Sequence, residues 1–189
     1  MTANITGRRV AFLMTDGVEE SEYLAPRQAV ESAGGIATVV SLKPGTVQAF
    51  HHTDKAGTHP VDVTVGDADP ADYDALCLPG GVTNPDSLRT DGKAVEFVRS
   101  FMREHKPVAA ICHGPWTLIE ADAVRGRTVT SWPSLRTDLV NAGATWVDET
   151  VHVDAGLVTS RNPGDLPSFC DKMLEEIAEG RHSDRRVPA

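Results

Sequence analysis

Short apolar runs alternate with stretches of helical spacing along most of this chain. Arg9-Val10-Ala11-Phe12-Leu13-Met14 is apolar almost throughout and predicts a first buried strand. Helical spacing follows in Tyr23, Leu24, Gln28, Ala29 and Val30, and stops at Gly34-Gly35. Pro26 sits awkwardly in that span, which places the helix start at Leu24-Ala25 and leaves Glu19 to Tyr23 as a separate turn. Ala37 to Leu42 is a second strand. Strand, helix and strand in so short a span form a βαβ unit, so the sheet is expected to be parallel. Further strands are predicted at Tyr73 to Leu78, Val108 to Ile111 and Thr128 to Thr130. Helices are predicted around Ala94 to Met102, Leu135 to Val140 and Leu166 to Ala178. Residues 43 to 66 break the alternation. Val47 to Phe50 is short and mixed and Val61 to Val65 alternates with period two, which predicts a small antiparallel hairpin appended to the sheet. Val151 to Ser160 reads as a second hairpin turning at Asp154-Ala155-Gly156. The pattern is that of one α/β domain over residues 8–179, with flexible termini at 1–7 and 180–189.

Length and charge narrow the classes of partner. The chain has 189 residues and a formal net charge of −9, which disfavours nucleic acid or an anionic membrane surface as partner. No apolar run approaches the ~20 residues that span a bilayer, and the first residues lack the apolar centre of a signal peptide. A cytoplasmic location is therefore expected. Cys77, Cys112 and Cys170 are an odd number at wide spacings, not a disulfide framework. Cys77 and Cys170 fall on apolar faces and read as packing residues. The seven histidines show neither a helical pair nor a Cys-x-x-Cys partner, so no metal site is expected, and those of the first hairpin should face solvent.

Chemistry concentrates in Val108-Ala109-Ala110-Ile111-Cys112-His113-Gly114-Pro115-Trp116. A buried strand ends at Cys112, and Pro115 is suited to the first turn of the following helix. A thiol at such a turn is held at the mouth of the sheet near the positive end of a helix, which favours the nucleophilic thiolate. The alternative is a buried cysteine that only packs. Two more groups fall after predicted strands. They are the acidic turn Val18-Glu19-Glu20, and Pro79-Gly80-Gly81, whose glycines let N–H groups point into a crevice. A thiol, an imidazole, a carboxyl group and backbone donors would together make an acyl- or carbonyl-addition site.

These segments resemble the PfpI, or intracellular protease I, family. That family lies within the superfamily of the parkinsonism-associated deglycase and is related in fold to class I glutamine amidotransferases. The resemblance runs from the strand preceding Asp16-Gly17-Val18-Glu19, through Asp74 to Gly81 and Lys106 to Pro115, to Gly156-Leu157-Val158-Thr159-Ser160-Arg161. It implies a three-layer sandwich around a mostly parallel, flavodoxin-like sheet, with a nucleophile elbow at Cys112. It further implies Cys112 as nucleophile, Glu19 as the usually protonated acid beside the sulfur, His113 as base, and Asp86 as an acidic partner given to a neighbouring subunit. By the same resemblance Glu20 and Glu22 are solvated, and the backbone N–H groups of Gly81 and His113 form the oxyanion hole. Gly80, Gly114 and Trp116 are expected in the pocket; the Trp116 indole departs from the polar residue of many relatives and either reshapes the pocket or packs the helix. The implied activity is that of a cofactor-free stress-response hydrolase of peptidase, glyoxalase III or deglycase type, acting on a small aldehyde or a short peptide. Its implied assembly is a homodimer or hexamer with the site near a subunit interface. The alternative is a redox-sensing or chaperone-like stress protein in which Cys112 is oxidised.

Overall fold

The computed structural model describes residues 3–182. In chain order the first half comprises β1 (Arg9–Leu13), β2 (Val18–Glu19), α1 (Glu20–Ser32), β3 (Ile36–Ser41), β4 (Thr46–His51), β5 (Asp54–Pro60), β6 (Val63–Thr64), β7 (Ala75–Leu78), α2 (Thr83–Leu88) and α3 (Gly92–Arg103). The second half comprises β8 (Val108–Ile111), α4 (Pro115–Glu120), β9 (Thr128–Val129), α5 (Arg136–Asn141), β10 (Thr145–Trp146), β11 (Val151–Asp154), β12 (Leu157–Ser160) and α6 (Leu166–Glu179).

Seven strands form the central sheet in the order β11-β12-β8-β7-β1-β3-β6, parallel except for the β11–β12 pair. Both faces are buried, which explains why the strands read as apolar runs rather than alternations. Ala11 and Leu13 of β1 pack with Phe97, Val98 and Phe101 of α3 on one face; Val10 and Phe12 pack with Tyr23 and Val30 of α1 and Phe169 of α6 on the other. The result is the expected three-layer α/β sandwich. Strand β1 pairs with β3 on one side and β7 on the other, so the chain reverses its direction of winding there. Ligand sites of open parallel sheets form beyond the strand ends at such a reversal.

Three boundaries differ from the sequence reading. The appended hairpin joins β4 to β5, whereas Val63 and Thr64 belong to the central sheet as the parallel edge strand β6. Helix α1 starts at Glu20 and keeps Pro26 inside it, because Tyr23, Pro26 and Val30 all bury against the sheet and outweigh the lost hydrogen bond. The described parts of the termini are also tied down. Ile5 is buried and its N–H donates to the Ala33 carbonyl at 3.1 Å, and the His182 N–H donates to the His105 carbonyl at 2.9 Å. Residues 1–2 and 183–189 of the expected flexible ends lie outside the described residues. Among the described residues no helix is long and apolar enough to cross a membrane.

Candidate active site

Cys112 follows the last residue of β8 and takes a left-handed conformation, φ +61°. That region costs a non-glycine residue ~1–2 kcal/mol and persists only where the surroundings fix it. Here they do: the Cys112 N–H donates to the Ser160 carbonyl at 3.1 Å, and its own carbonyl accepts the Trp132 N–H at 3.0 Å. The turn aims the side chain into a cavity of about 280 Å³ at the carboxyl ends of the strands. His113 is buried beside it, with Nδ1 3.2 Å from the Cys112 sulfur. Burial lowers the His113 pKa, which keeps its imidazole neutral.

The carboxyl group facing the sulfur belongs to Glu22, not Glu19. Because α1 begins at Glu20, Glu22 lies in its first turn on the face that carries Tyr23 and Pro26 into the core, and its side chain is fully buried. Glu22 Oε2 accepts the Gly80 N–H at 2.8 Å, while Oε1 has no hydrogen-bond partner. Burial pushes the Glu22 pKa up to about 8, with the Glu19 charge adding to the rise and the Gly80 N–H opposing it. An orphaned oxygen costs less on a neutral acid than on a carboxylate, so Glu22 is protonated at neutral pH. The expectation that Glu22 is solvated is thereby corrected.

Glu19 instead turns towards the hairpin. Its Oε2 accepts the His52 N–H at 2.9 Å, its Oε1 accepts from Ser21 Oγ at 3.2 Å, and His51 Nδ1 lies 3.6 Å from it. It still lines the cavity, but it is held by the hairpin and not by the sulfur. Glu20 anchors the same hairpin, accepting the Gly57 N–H at 2.9 Å and meeting His59 Nε2 at 2.9 Å. His59 is thus packed against α1 rather than facing solvent, and its ring stacks edgewise on Tyr23 at 4.8 Å.

Gly80 and Gly81 are required by space as well as by conformation. A Cβ on Gly80 would collide with the Glu22 carboxyl and lie 2.7 Å from Cys112 Cβ; Gly81 has φ +78° and would strike the Gly17 carbonyl. Buried Asn84 locks this loop: its Nδ2 donates to the Pro79 carbonyl at 3.0 Å and the Gly80 carbonyl at 2.9 Å, and its Oδ1 accepts the Thr15 N–H at 2.8 Å. The backbone N–H groups of His113 and Gly81 both point at the sulfur and favour its anion. Even so, burial first and the Glu22 carboxyl second push the Cys112 pKa well above that of an ordinary thiol. The sequence-based expectation of a thiol poised as thiolate by its turn does not hold for the resting geometry. Sulfur and Glu22 form a coupled pair, and what the site provides is a thiol proton with a neighbouring carboxyl to exchange it with.

Other expected residues fall elsewhere. Trp116 does not line the cavity; it donates from Nε1 to Asp138 Oδ2 at 2.8 Å and supports the His113 ring edgewise at 5.1 Å. The aromatic wall is Trp132, stacked on His113 at 5.9 Å. Gly80 and Gly114 sit behind the wall, Gly114 because a Cβ there would press on the Ile111 carbonyl at 2.9 Å. Asp86 is exposed on α2 and is not brought to His113 within one chain. Among the described residues, the group that brings three metal-type ligand atoms within 4.8 Å of one another is Glu176, Glu179 and His182, at the far end of the sheet from Cys112.

Residues 8–176 match the model of the DJ-1/PfpI family. The chain belongs to the DJ-1/PfpI family. It is 44% identical over 170 residues to General stress protein 18 of Bacillus subtilis, covering 89% of this chain and 96% of that one. It is 41% identical over 167 residues to the protein named "Putative cysteine protease YraA" of the same organism, covering 88% and 96% respectively. The crystal structure of Drosophila melanogaster DJ-1beta superposes with a TM-score of 0.82 at 28% identity, covering 92% of this chain and 91% of that one. The family resemblance and the flavodoxin-like sandwich expected from the sequence are therefore confirmed. In this DJ-1/PfpI chain the sequence reading missed Glu22, His52, Thr53, Val82, Trp132 and Pro163 as cavity residues. Glu22 alone carried a signal, its spacing of four from Pro26 and eight from buried Val30.

Proposed function

We propose that the protein is a cofactor-free, cysteine-dependent hydrolase of the stress response, acting on small reactive carbonyl compounds or short peptides. The observation carrying this reading is the sulfur of Cys112 at the cavity floor, facing two backbone N–H groups with His113 and a protonated Glu22 at its sides. In the first step a carbon–sulfur bond forms as the carbonyl π bond breaks. The thiol proton passes to His113 Nδ1 or through the Glu22 carboxyl and ends on the new oxyanion, which the Gly81 and His113 N–H groups stabilise meanwhile. With a peptide the adduct then collapses and expels the amine, which takes up a proton; with an α-oxoaldehyde a proton moves from the sulfur-bearing carbon to the adjacent carbonyl carbon. Either route leaves a thioester on Cys112, and water as co-reactant hydrolyses it to a carboxylic acid and returns the thiol. The names of General stress protein 18 and YraA support a stress setting and cysteine chemistry. A cavity of about 280 Å³ suits a small substrate and excludes a folded protein.

Asp86, exposed on α2, remains the group we assign to a neighbouring subunit, which requires a homodimer or larger assembly. A second reading rests on the same donors: a protonated carboxyl and two N–H groups around one sulfur also stabilise sulfenate or sulfinate, so Cys112 would then serve as a redox sensor. The test is turnover of an α-oxoaldehyde and of short peptides by wild type and Cys112→Ser. Loss of at least ~100-fold in kcat/KM with the fold retained supports the hydrolase; unchanged turnover overturns it. Absence of any turnover, with a mass gain at Cys112 after mild peroxide, selects the sensor.

A further inference from the structure

We infer that Glu19 makes the Cys112 cavity selective for uncharged and cationic electrophiles and turns anionic ones away. The inference rests on the reading of Cys112 as the reacting group, and it names the substrate class that such a site accepts. Glu19 lines the cavity with a side chain only 10% exposed, and the His52 N–H holds its carboxylate in place. Its charge is felt across the cavity, since it adds to the forces that keep the proton on Glu22. Among the described residues lining the cavity there is no lysine or arginine; of its two histidines, His113 is held neutral by its burial and His52 engages Glu19 through its backbone N–H. The remaining walls include Trp132, Val82 and Pro163, apolar groups with few dipoles to reorient, which leave the Glu19 field poorly screened. The nearest imidazole to Glu19, His51, sits outside on the rim and is 59% exposed, where solvent weakens its compensation.

An incoming carboxylate or phosphate therefore meets the fixed negative charge of Glu19 with no lysine or arginine beside it. A neutral α-oxoaldehyde meets the apolar walls and N–H donors without that repulsion, and an amine-bearing carbonyl compound gains an ion pair. α-Keto acids and aldehydes carrying a carboxylate are the class excluded.

Alkylation of Cys112 tests this without relying on turnover. Iodoacetamide and iodoacetate differ by one negative charge, and their rates at Cys112 are compared by peptide mass spectrometry against the same pair on free cysteine. The expected result is an iodoacetamide-to-iodoacetate ratio at least ~10-fold above that of free cysteine. The ratio should collapse towards the free-thiol value in Glu19→Gln and stay high in Glu31→Gln, which removes the same charge from the exposed far end of α1. A wild-type ratio equal to that of free cysteine overturns the proposal on the native protein, whatever the variant does. An equal drop in Glu31→Gln assigns the effect to net charge and overturns it as well. A parallel measurement with methylglyoxal and glyoxylate separates the two readings: selective alkylation with no turnover of either compound removes the hydrolase and leaves the charge filter standing.

Discussion

Glu22 holds a carboxylic acid with none of its surface exposed, and the pH dependence of stability follows. Its pKa is about 8 in the fold and near 4.5 in the unfolded chain. A group whose folded value is raised contributes its full stabilisation below the unfolded value and loses it as pH climbs through the folded value. Wild type should therefore lose stability between about pH 5 and 8, by up to a few kcal/mol. Glu22→Gln, neutral at every pH and able to keep the Gly80 contact, should lack that slope. Urea melts of both proteins across this range check the point. Cys112 was legible in the sequence because a strand, a turn and a helix-opening proline leave a side chain in that position little choice. Glu22 was not, because Pro26 argued for a helix beginning after it. Burial of one helix face overrode the local cost of proline, and that balance is settled by packing rather than by the residue itself.

At the level of elements, the β4–β5 hairpin forms one wall of the cavity and is fastened to α1 and β2 at several points. Glu20 meets the Gly57 N–H and His59, and Glu19 meets the His52 N–H. Removing His59 takes away both its contact with Glu20 and its ring packing on Tyr23. His59→Ala should lower the local opening energy of residues 46–60 by about 1–2 kcal/mol, read as faster amide exchange there with α3 unchanged. The hairpin's existence was legible from the change of pattern after Pro44, but its register was not. Asp54 to Pro60 carries no alternating apolar face, so the partner of β4 was sought in Val61 to Val65 instead. With that register wrong, His52 and Thr53 could not be placed at the cavity mouth. Trp132 was equally hidden, because it reaches the site through a backbone bond to Cys112 from a loop distant in sequence.

Across the whole molecule the sheet divides two apolar layers, and the α3 side is dominated by Tyr73, Phe97 and Phe101 in mutual contact. Phe101 is completely buried. Phe101→Ala should destabilise the fold by about 3–5 kcal/mol in denaturant melts while leaving the Cys112 alkylation ratio untouched, since that face lies away from the cavity. The overall plan was the most legible level, because doubly buried strands leave unmistakable apolar runs and parallel pairing forces helices between them.

The margins of the sheet have a consequence of their own. At one border lies β6, only two residues long; at the other, β11 runs antiparallel for four. Neither offers a long flat ladder of unsatisfied amides, so lateral growth of the sheet from chain to chain finds a poor template. Molecules crowded together or warmed short of melting should resist fibre growth from the central sheet, and the longer exposed edge, β5 of the hairpin, carries Asp54, Lys55 and Pro60, which discourage strand pairing there as well.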